Sequence, residues 1–197
     1  MNKTDIKLAG VGGQGILSIA TIIGEAATAA GVNLKQAEVH GMSQRGGDVQ
    51  SDLRLSTEPI HSDQIPLGNA DIILSMEPME ALRYLPWLAP DGVVITSSRP
   101  LINIPDYPDQ AALLAELDAL PRVVRLDIEE IARDAQLPRS ANMVLLGMAA
   151  PYLPLLSEER LRAAVARVFA RKGQEVVEAN LKAFGLGLAH ALQTVSK

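Results

Sequence analysis

Hydrophobic positions in this chain alternate between two periods, and each change of period marks a new element. Ile6 to Ala9 is a short apolar run that predicts a first strand. Ile16, Ile19, Ala20, Ile23, Ala27 and Ala30 then recur at helical spacing, and Gly31 stops that helix just past its end. Asn33 to Val39 predicts a second strand. Over residues 48–56, Val49, Leu53 and Leu55 face one way while Gln50, Asp52, Arg54 and Ser56 face the other. Such alternation predicts a half-solvated strand, antiparallel or near an edge. Ile72-Ile73-Leu74 and Val93-Val94-Ile95 are unbroken apolar runs between turn residues, as expected of central strands covered on both faces. Val123 to Leu126 is a further strand, and Pro100, Pro105 and Pro108 make residues 99–108 a loop.

The rest of the chain reads as helical. Asn142 to Ala150 is short and apolar. Leu161, Ala164, Val165, Val168 and Phe169 form a second stripe. Ser157 is placed to cap it, with Glu158 and Glu159 in its first turn, and Arg171, Lys172 and Gly173 end it. Val177, Leu181, Phe184 and Leu188 mark a last helix. The pattern predicts one three-layer α/β domain over residues 1–197. Its sheet is mostly parallel with helices on both faces, followed by a helical C-terminal tail.

Composition narrows the function classes. A chain of 197 residues with 48% apolar content can bury a core without staples. Net charge is −5 with no basic run, which argues against nucleic acid as a partner. There is no cysteine, so this sequence offers no disulfide, no thiolate zinc site, no cysteine-held cluster and no thiol nucleophile. No signal-peptide pattern opens the sequence, and no window reaches about 18 uninterrupted apolar residues. A cytoplasmic protein with no membrane span is expected.

Two glycine-rich segments carry the candidate chemistry. Gly10, Gly12 and Gly15 satisfy G-x-G-x-x-G between the first strand and the first helix. Glycines there permit positive φ, and free N–H groups at a helix start attract anions. A phosphate would be held by backbone, with Gln14 adding a side-chain donor. A dinucleotide site also wants an acid ending the second strand, and Glu38 lies later than the usual spacing. A tight turn serving only the fold, or a protein contact, competes evenly with small-ligand binding. The second segment, His40-Gly41-Met42-Ser43-Gln44-Arg45-Gly46-Gly47, packs polar groups between glycines. Arg45 could clamp a carboxylate or phosphate, and His40 could titrate near neutrality. No nucleophile or second histidine pairs with them, so a binding or interface role is expected for Ser43, Gln44 and Arg45.

Other positions have plainer readings. Asn142 is either a helix cap or a site amide. Glu77 reads as a first-turn acid at a strand's carboxyl end, where sites also collect. His61 and His190 are isolated along the sequence and read as structural or exposed, Asp91-Gly92 and Asp106 read as turn residues, and nothing in the sequence resembles a metal cluster, a Walker loop or a serine triad.

The run Gly10–Ile16, the loop Glu38–Gly47, the strand Val49–Arg54, and Asn142 with Leu146-Gly147 resemble the gamma-type domain of 2-oxoacid:ferredoxin oxidoreductases, and most closely the beta subunit of the indolepyruvate enzymes. The resemblance spans most of the chain. It implies an assembled enzyme that oxidatively decarboxylates an aryl 2-oxoacid to an acyl-CoA and passes two electrons to ferredoxin. It also implies thiamine diphosphate, magnesium and iron–sulfur clusters on a large partner subunit. This sequence has neither a cysteine for a cluster nor a Gly-Asp-Gly element, since Asp91-Gly92 lacks the leading glycine. No cofactor and no catalytic side chain are therefore expected here. The resemblance places Gly12, Gly13, Gln14, Gly15, His40, Ser43, Gln44, Arg45, Gly46 and Asn142 at a substrate or coenzyme A channel, at the partner interface, or at both. A docking face left bare would let the isolated chain pair with itself. The competing readings are a free-standing Rossmann-like nucleotide-binding module and a scaffold with no small ligand.

Overall fold

The computed structural model of the chain describes residues 3–40 and 46–195. The chain opens with β1 (Lys3–Val11), α1 (Ile16–Ala29), β2 (Asn33–His40) and β3 (Asp48–Ser56). It continues through β4 (Ala70–Ser75), α2 (Pro78–Arg83), β5 (Leu88–Ser97), α3 (Gln110–Asp118) and β6 (Val123–Leu126). It ends in α4 (Ile128–Asp134), α5 (Ala141–Ala149), α6 (Glu158–Phe169) and α7 (Gln174–Val195). The strands form one six-stranded sheet in the order β2-β3-β1-β4-β5-β6. Strands β1, β4, β5 and β6 run parallel, while β3 is antiparallel to both β1 and β2.

The apolar runs sit where their composition requires. Ile72 and Leu74 of β4 and Ile95 of β5 join a core with α1 and the C-terminal helices on one face. Ile73 and Val94, pointing the other way, pack with Ala9 against Tyr84 and the Leu113 and Leu117 pair of α3. The sheet is thus covered on both faces, as the unbroken runs predicted. Asp91-Gly92, expected in a turn, lies inside β5 at the irregular register between Ala70 and Ile72.

The polar face of β3 departs from expectation. It is not half-solvated: Asp52 and Ser56 are buried, and Arg54 is only partly exposed. Lys7 donates to Asp52 at 2.7 Å, and Arg54 clamps Asp5 through Nε at 2.8 Å and Nη2 at 3.1 Å. Residues 57–69 fold over this face, with Arg54 donating to the carbonyls of Ser62 and Gln64 and Asp52 accepting from the Ile65 N–H at 2.9 Å. Paired charges therefore fill the place that alternation assigned to water.

The C-terminal helices are part of the core. Phe184 of α7 is fully buried, as are Val144 and Leu146 of α5. A Cβ on Gly147 would overlap the carbonyl oxygen of Phe184, and one on Gly187 would overlap that of Val144. The two helices cross at backbone contact, which only glycine allows. Ser157 caps α6 as expected, accepting from the Arg160 N–H at 3.3 Å.

Candidate functional site

The two glycine segments meet at the carboxyl edge of β1. Gly12 N–H donates to Gly47 O at 2.8 Å, and Gly46 N–H returns to Gly12 O at 3.3 Å. Gly13 and Gly15 hold φ of 104° and 87°, and Gly46 holds 76°. Each value is in the left-handed region where a side chain is strained. Gly15 is the N-cap of α1 and supplies no side-chain bond to it; the Ser18 N–H donates to Gly15 O at 3.1 Å, and the N–H groups of Ile16 and Leu17 precede any intrahelical partner. A cleft of about 410 Å3, lined by Val11, Gly12, Gly13, Gly15, Ile16 and Val49, opens over them.

Gln14 does not do what the turn alone suggested. Its Oε1 accepts from the Val11 N–H at 2.8 Å, and its Nε2 donates to the Met76 carbonyl at 3.3 Å. Both ends of the amide are used to pin the turn to the end of β4. Asn142 is likewise neither a cap nor a free site amide. Ser140 is the N-cap residue of α5, and Asn142 donates through Nδ2 to Gly15 O at 3.2 Å, tying α5 to the turn. The predicted residues Ser43, Gln44 and Arg45 lie outside the described residues, as does the side chain of His40.

The structure adds groups that periodicity missed. Glu77 is fully buried and is the N-cap of α2, not a first-turn residue: its carboxylate accepts from the Glu80 N–H at 2.9 Å. The same carboxylate accepts from the Leu101 N–H at 3.3 Å and from the Tyr107 hydroxyl. Burial, with Glu77 beside it, pushes the Tyr107 hydroxyl far above its ordinary range. Asn103 Nδ2 donates to Gly46 O at 2.6 Å. The 99–108 loop is therefore fastened to the glycine rim, yet it leaves Leu101 39%, Ile102 70% and Ile104 43% exposed. The sequence signal was three aliphatic residues between prolines, an odd composition for a solvated loop.

A second cleft, about 430 Å3, lies beside the turn and is lined by Gln14, Met76, Leu101, Glu129, Arg139 and Asn142 among others. Burial holds the Glu129 carboxyl above the usual range, opposed by the Ser97 hydroxyl that donates to it at 2.8 Å and by Arg99. At the start of β3, Asp48 accepts from the Tyr84 hydroxyl at 2.8 Å. Burial raises the nearby Glu80 carboxyl against the pull of Arg83, which grips it at 2.9 and 3.2 Å.

The arrangement has the chemistry of a binding rim. Backbone N–H groups, an arginine and exposed aliphatic side chains suit an anion or a protein surface. The dinucleotide reading loses a requirement: β3 separates β2 from β1, so Glu38 lies one strand away from the place of the ribose-binding acid. Among the described residues, no group of three histidine or acidic side chains is placed to hold a metal ion, and no helix is long and apolar enough to cross a membrane.

Comparison with known proteins agrees with this architecture. The indolepyruvate oxidoreductase subunit IorB of Thermococcus kodakarensis is 37% identical over 201 residues, covering 97% of each chain. The fold superposes on the gamma subunit of a keto/oxoacid ferredoxin oxidoreductase from Geobacter sulfurreducens with a TM-score of 0.74 and 25% identity, covering 98% of both chains. It also superposes on a 2-oxoglutarate:ferredoxin oxidoreductase from Magnetococcus marinus with a TM-score of 0.78 and 24% identity. There it covers 98% of this chain but only 32% of the other, so the same unit occurs within a longer polypeptide. The pyruvate ferredoxin/flavodoxin oxidoreductase family matches residues 5–190, nearly the whole sequence, and the chain belongs to that family.

Proposed function

We propose that this chain is the cofactor-free subunit of an indolepyruvate-type 2-oxoacid:ferredoxin oxidoreductase. The assembled enzyme converts an aryl 2-oxoacid and coenzyme A to an acyl-CoA and carbon dioxide, with ferredoxin as electron acceptor. Thiamine diphosphate supplies the carbanion chemistry from the large partner subunit, which also holds magnesium and the clusters. This chain contributes the glycine rim, which walls the substrate or coenzyme A channel and seats the partner.

The observation that carries this reading is the fastened rim itself. Gly12 pairs with Gly46 and Gly47, Asn142 and Gln14 brace the turn, and Asn103 ties an exposed aliphatic loop to it. Such a surface is ordered in advance and presents apolar side chains beside backbone donors, which reduces the entropy lost when a partner docks. The IorB relative, similar over nearly its full length, supports the choice of subunit. The composition supports the division of labour, since a chain with no cysteine holds no cysteine-ligated cluster.

Reconstitution tests it. The chain alone should show no 2-oxoacid-dependent reduction of ferredoxin, and mixing with the large subunit should restore it. Turnover by the chain alone overturns the reading. Arg45→Ala should weaken complex formation or turnover while the isolated chain stays folded. Saturable micromolar binding of NADH or FAD by the isolated chain would favour the nucleotide-binding module instead.

A further inference from the structure

The two edges of the sheet are finished differently. At one edge β6 is only four residues long, and its Leu126 carbonyl accepts from the Ser98 N–H at 2.8 Å. At the other edge β2 runs for eight residues and pairs with β3 without a register break from Asn33 to His40. A sheet edge turns the N–H and C=O of alternate residues outward, and proline, a bulge or a covering segment ordinarily blunts it. Strand β2 has no proline and no bulge. Among the described residues, its backbone makes no backbone bond outside the ladder to β3. Val39, on the same face as Lys35 and Ala37, is 59% exposed.

The order of side chains along β2 suits a second copy of the same strand. A two-fold axis normal to the sheet pairs two such strands antiparallel, keeps each face continuous, and sets every residue opposite one of the same face. Parallel pairing would instead turn one sheet over and carry the face of Leu34, which packs on the α1 core, onto the face of Lys35. Antiparallel registers centred on Lys35 or on Glu38 put like charges directly opposite, which is unfavourable. One centred on Gln36 puts Leu34 opposite Glu38. The register centred on Ala37 puts Glu38 opposite Gln36 and Lys35 opposite Val39, each pair occurring twice. Within one chain the Gln36 amide already donates to the Glu38 carboxylate, so the two copies join these groups into one network. The aliphatic stem of Lys35 covers the exposed valine while its ammonium stays in water.

We propose that β2 is a self-association edge, through which two copies of this chain pair antiparallel over residues 34–40 about Ala37. The two six-stranded sheets then become one continuous sheet. Strand β2 runs in the same direction as β1, so the two glycine rims point to opposite ends of the dimer. The pairing uses a different surface from those rims and does not rest on the role proposed for them.

Sedimentation equilibrium of the full chain and single-cysteine cross-linking test it. The parent should be a dimer. The sequence has no cysteine, so Ala37→Cys introduces one thiol per chain. Its two copies lie directly opposite, within disulfide reach, and mild oxidation should link them. Lys35→Cys, whose two copies lie four residues out of line and about 14 Å apart, should stay unlinked. Val39→Lys sets lysine against Lys35 twice, and Val39→Glu sets a carboxylate there. The Glu variant should dimerise about tenfold more tightly than the Lys variant, and both should keep the parent's fold because the position is exposed. Equal dimerisation of these two variants, or equal cross-linking at positions 35 and 37, overturns the pairing. A monomeric parent whose β2 amides gain exchange protection only when the large subunit is added assigns the edge to a strand of that partner, and also overturns it.

Discussion

Lys7 shows how a polar residue can be structural in a way its local pattern hides. It lies on β1 opposite Asp52, and both are buried. Its ammonium sits 4.9 Å from the Tyr84 ring centre and 4.8 Å from that of Trp87 while it donates to Asp52. Removing one member leaves the other charge buried and unpaired. Lys7→Ala should therefore cost about 3–5 kcal/mol of unfolding free energy. The double change Lys7→Met with Asp52→Asn, which keeps an acceptor for the Ile65 N–H, should recover about half of that loss in urea titrations. A double variant no more stable than Lys7→Ala would show that shape, and not charge pairing, dominates there. Gln14 gives a parallel case. Its alanine variant orphans the Val11 N–H and should cost about 1–3 kcal/mol even without any ligand. An unchanged denaturation midpoint would return Gln14 to the role of ligand donor. Neither part was legible in the sequence. Lys7 and Asp52 are 45 positions apart, and Gln14 reaches Met76 across 62. Local spacing carries no information at that range.

Strands and helices were more legible, because each must satisfy its own periodicity. The stripe from Ile16 to Ala27 became the buried face of α1, and the unbroken runs became β4 and β5. The alternation over residues 48–56 correctly marked an antiparallel strand. It misplaced the water, because a buried ion pair and a solvated polar residue leave the same trace in hydropathy. Strand order escaped as well: a β2–β3 hairpin can add to β1 through either strand, and periodicity does not choose. The crossing of α5 and α7 is fixed by Gly147 and Gly187, whose missing side chains are read only once the helices are known to touch. Gly187→Ala must push two backbones apart and should cost about 3 kcal/mol, the upper part of the overpacking range, whereas Gly185→Ala should be nearly silent. A Cβ at Gly185 approaches nothing closer than the flexible Arg162 guanidinium at 3.5 Å. Equal melting temperatures for the two variants would refute the close crossing. At the start of α4, Glu129 makes a pH-dependent contribution. Its carboxyl is raised in the folded chain, so the protonated form fits better. The stabilising state is complete below the ordinary carboxylate range and is lost as pH rises through the raised value. Glu129→Gln should melt higher than the parent at pH 7.5, and the gap should close at pH 4. A gap that persists or grows in acid would contradict a raised carboxyl.

The family was legible in the glycine segments, but the apolar surface beside them was not. Ile102 and Ile104, which make that surface, are loop residues with no periodicity to announce them. Their exposure, 70% and 43%, is unusual for isoleucine in a loop fastened through Glu77 to the N–H of Leu101 and through Asn103 to Gly46. Fastening matters, because a mobile loop would lose entropy on docking, whereas this one has already lost it in folding. Burying an isoleucine at a partner interface is worth about 1.5–3 kcal/mol, and a carboxylate there faces desolvation without a counter-charge. Ile102→Glu with Ile104→Glu should therefore leave the isolated chain's melting temperature within a few degrees of the parent. The same pair should weaken association with the large subunit by about two orders of magnitude or more. Changing the exposed Leu192 to Glu on α7, at 52% exposure, is the control for charge alone and should leave association unchanged. If the loop variant assembled as well as the parent, the loop that Asn103 holds against Gly46 would be no part of the partner interface.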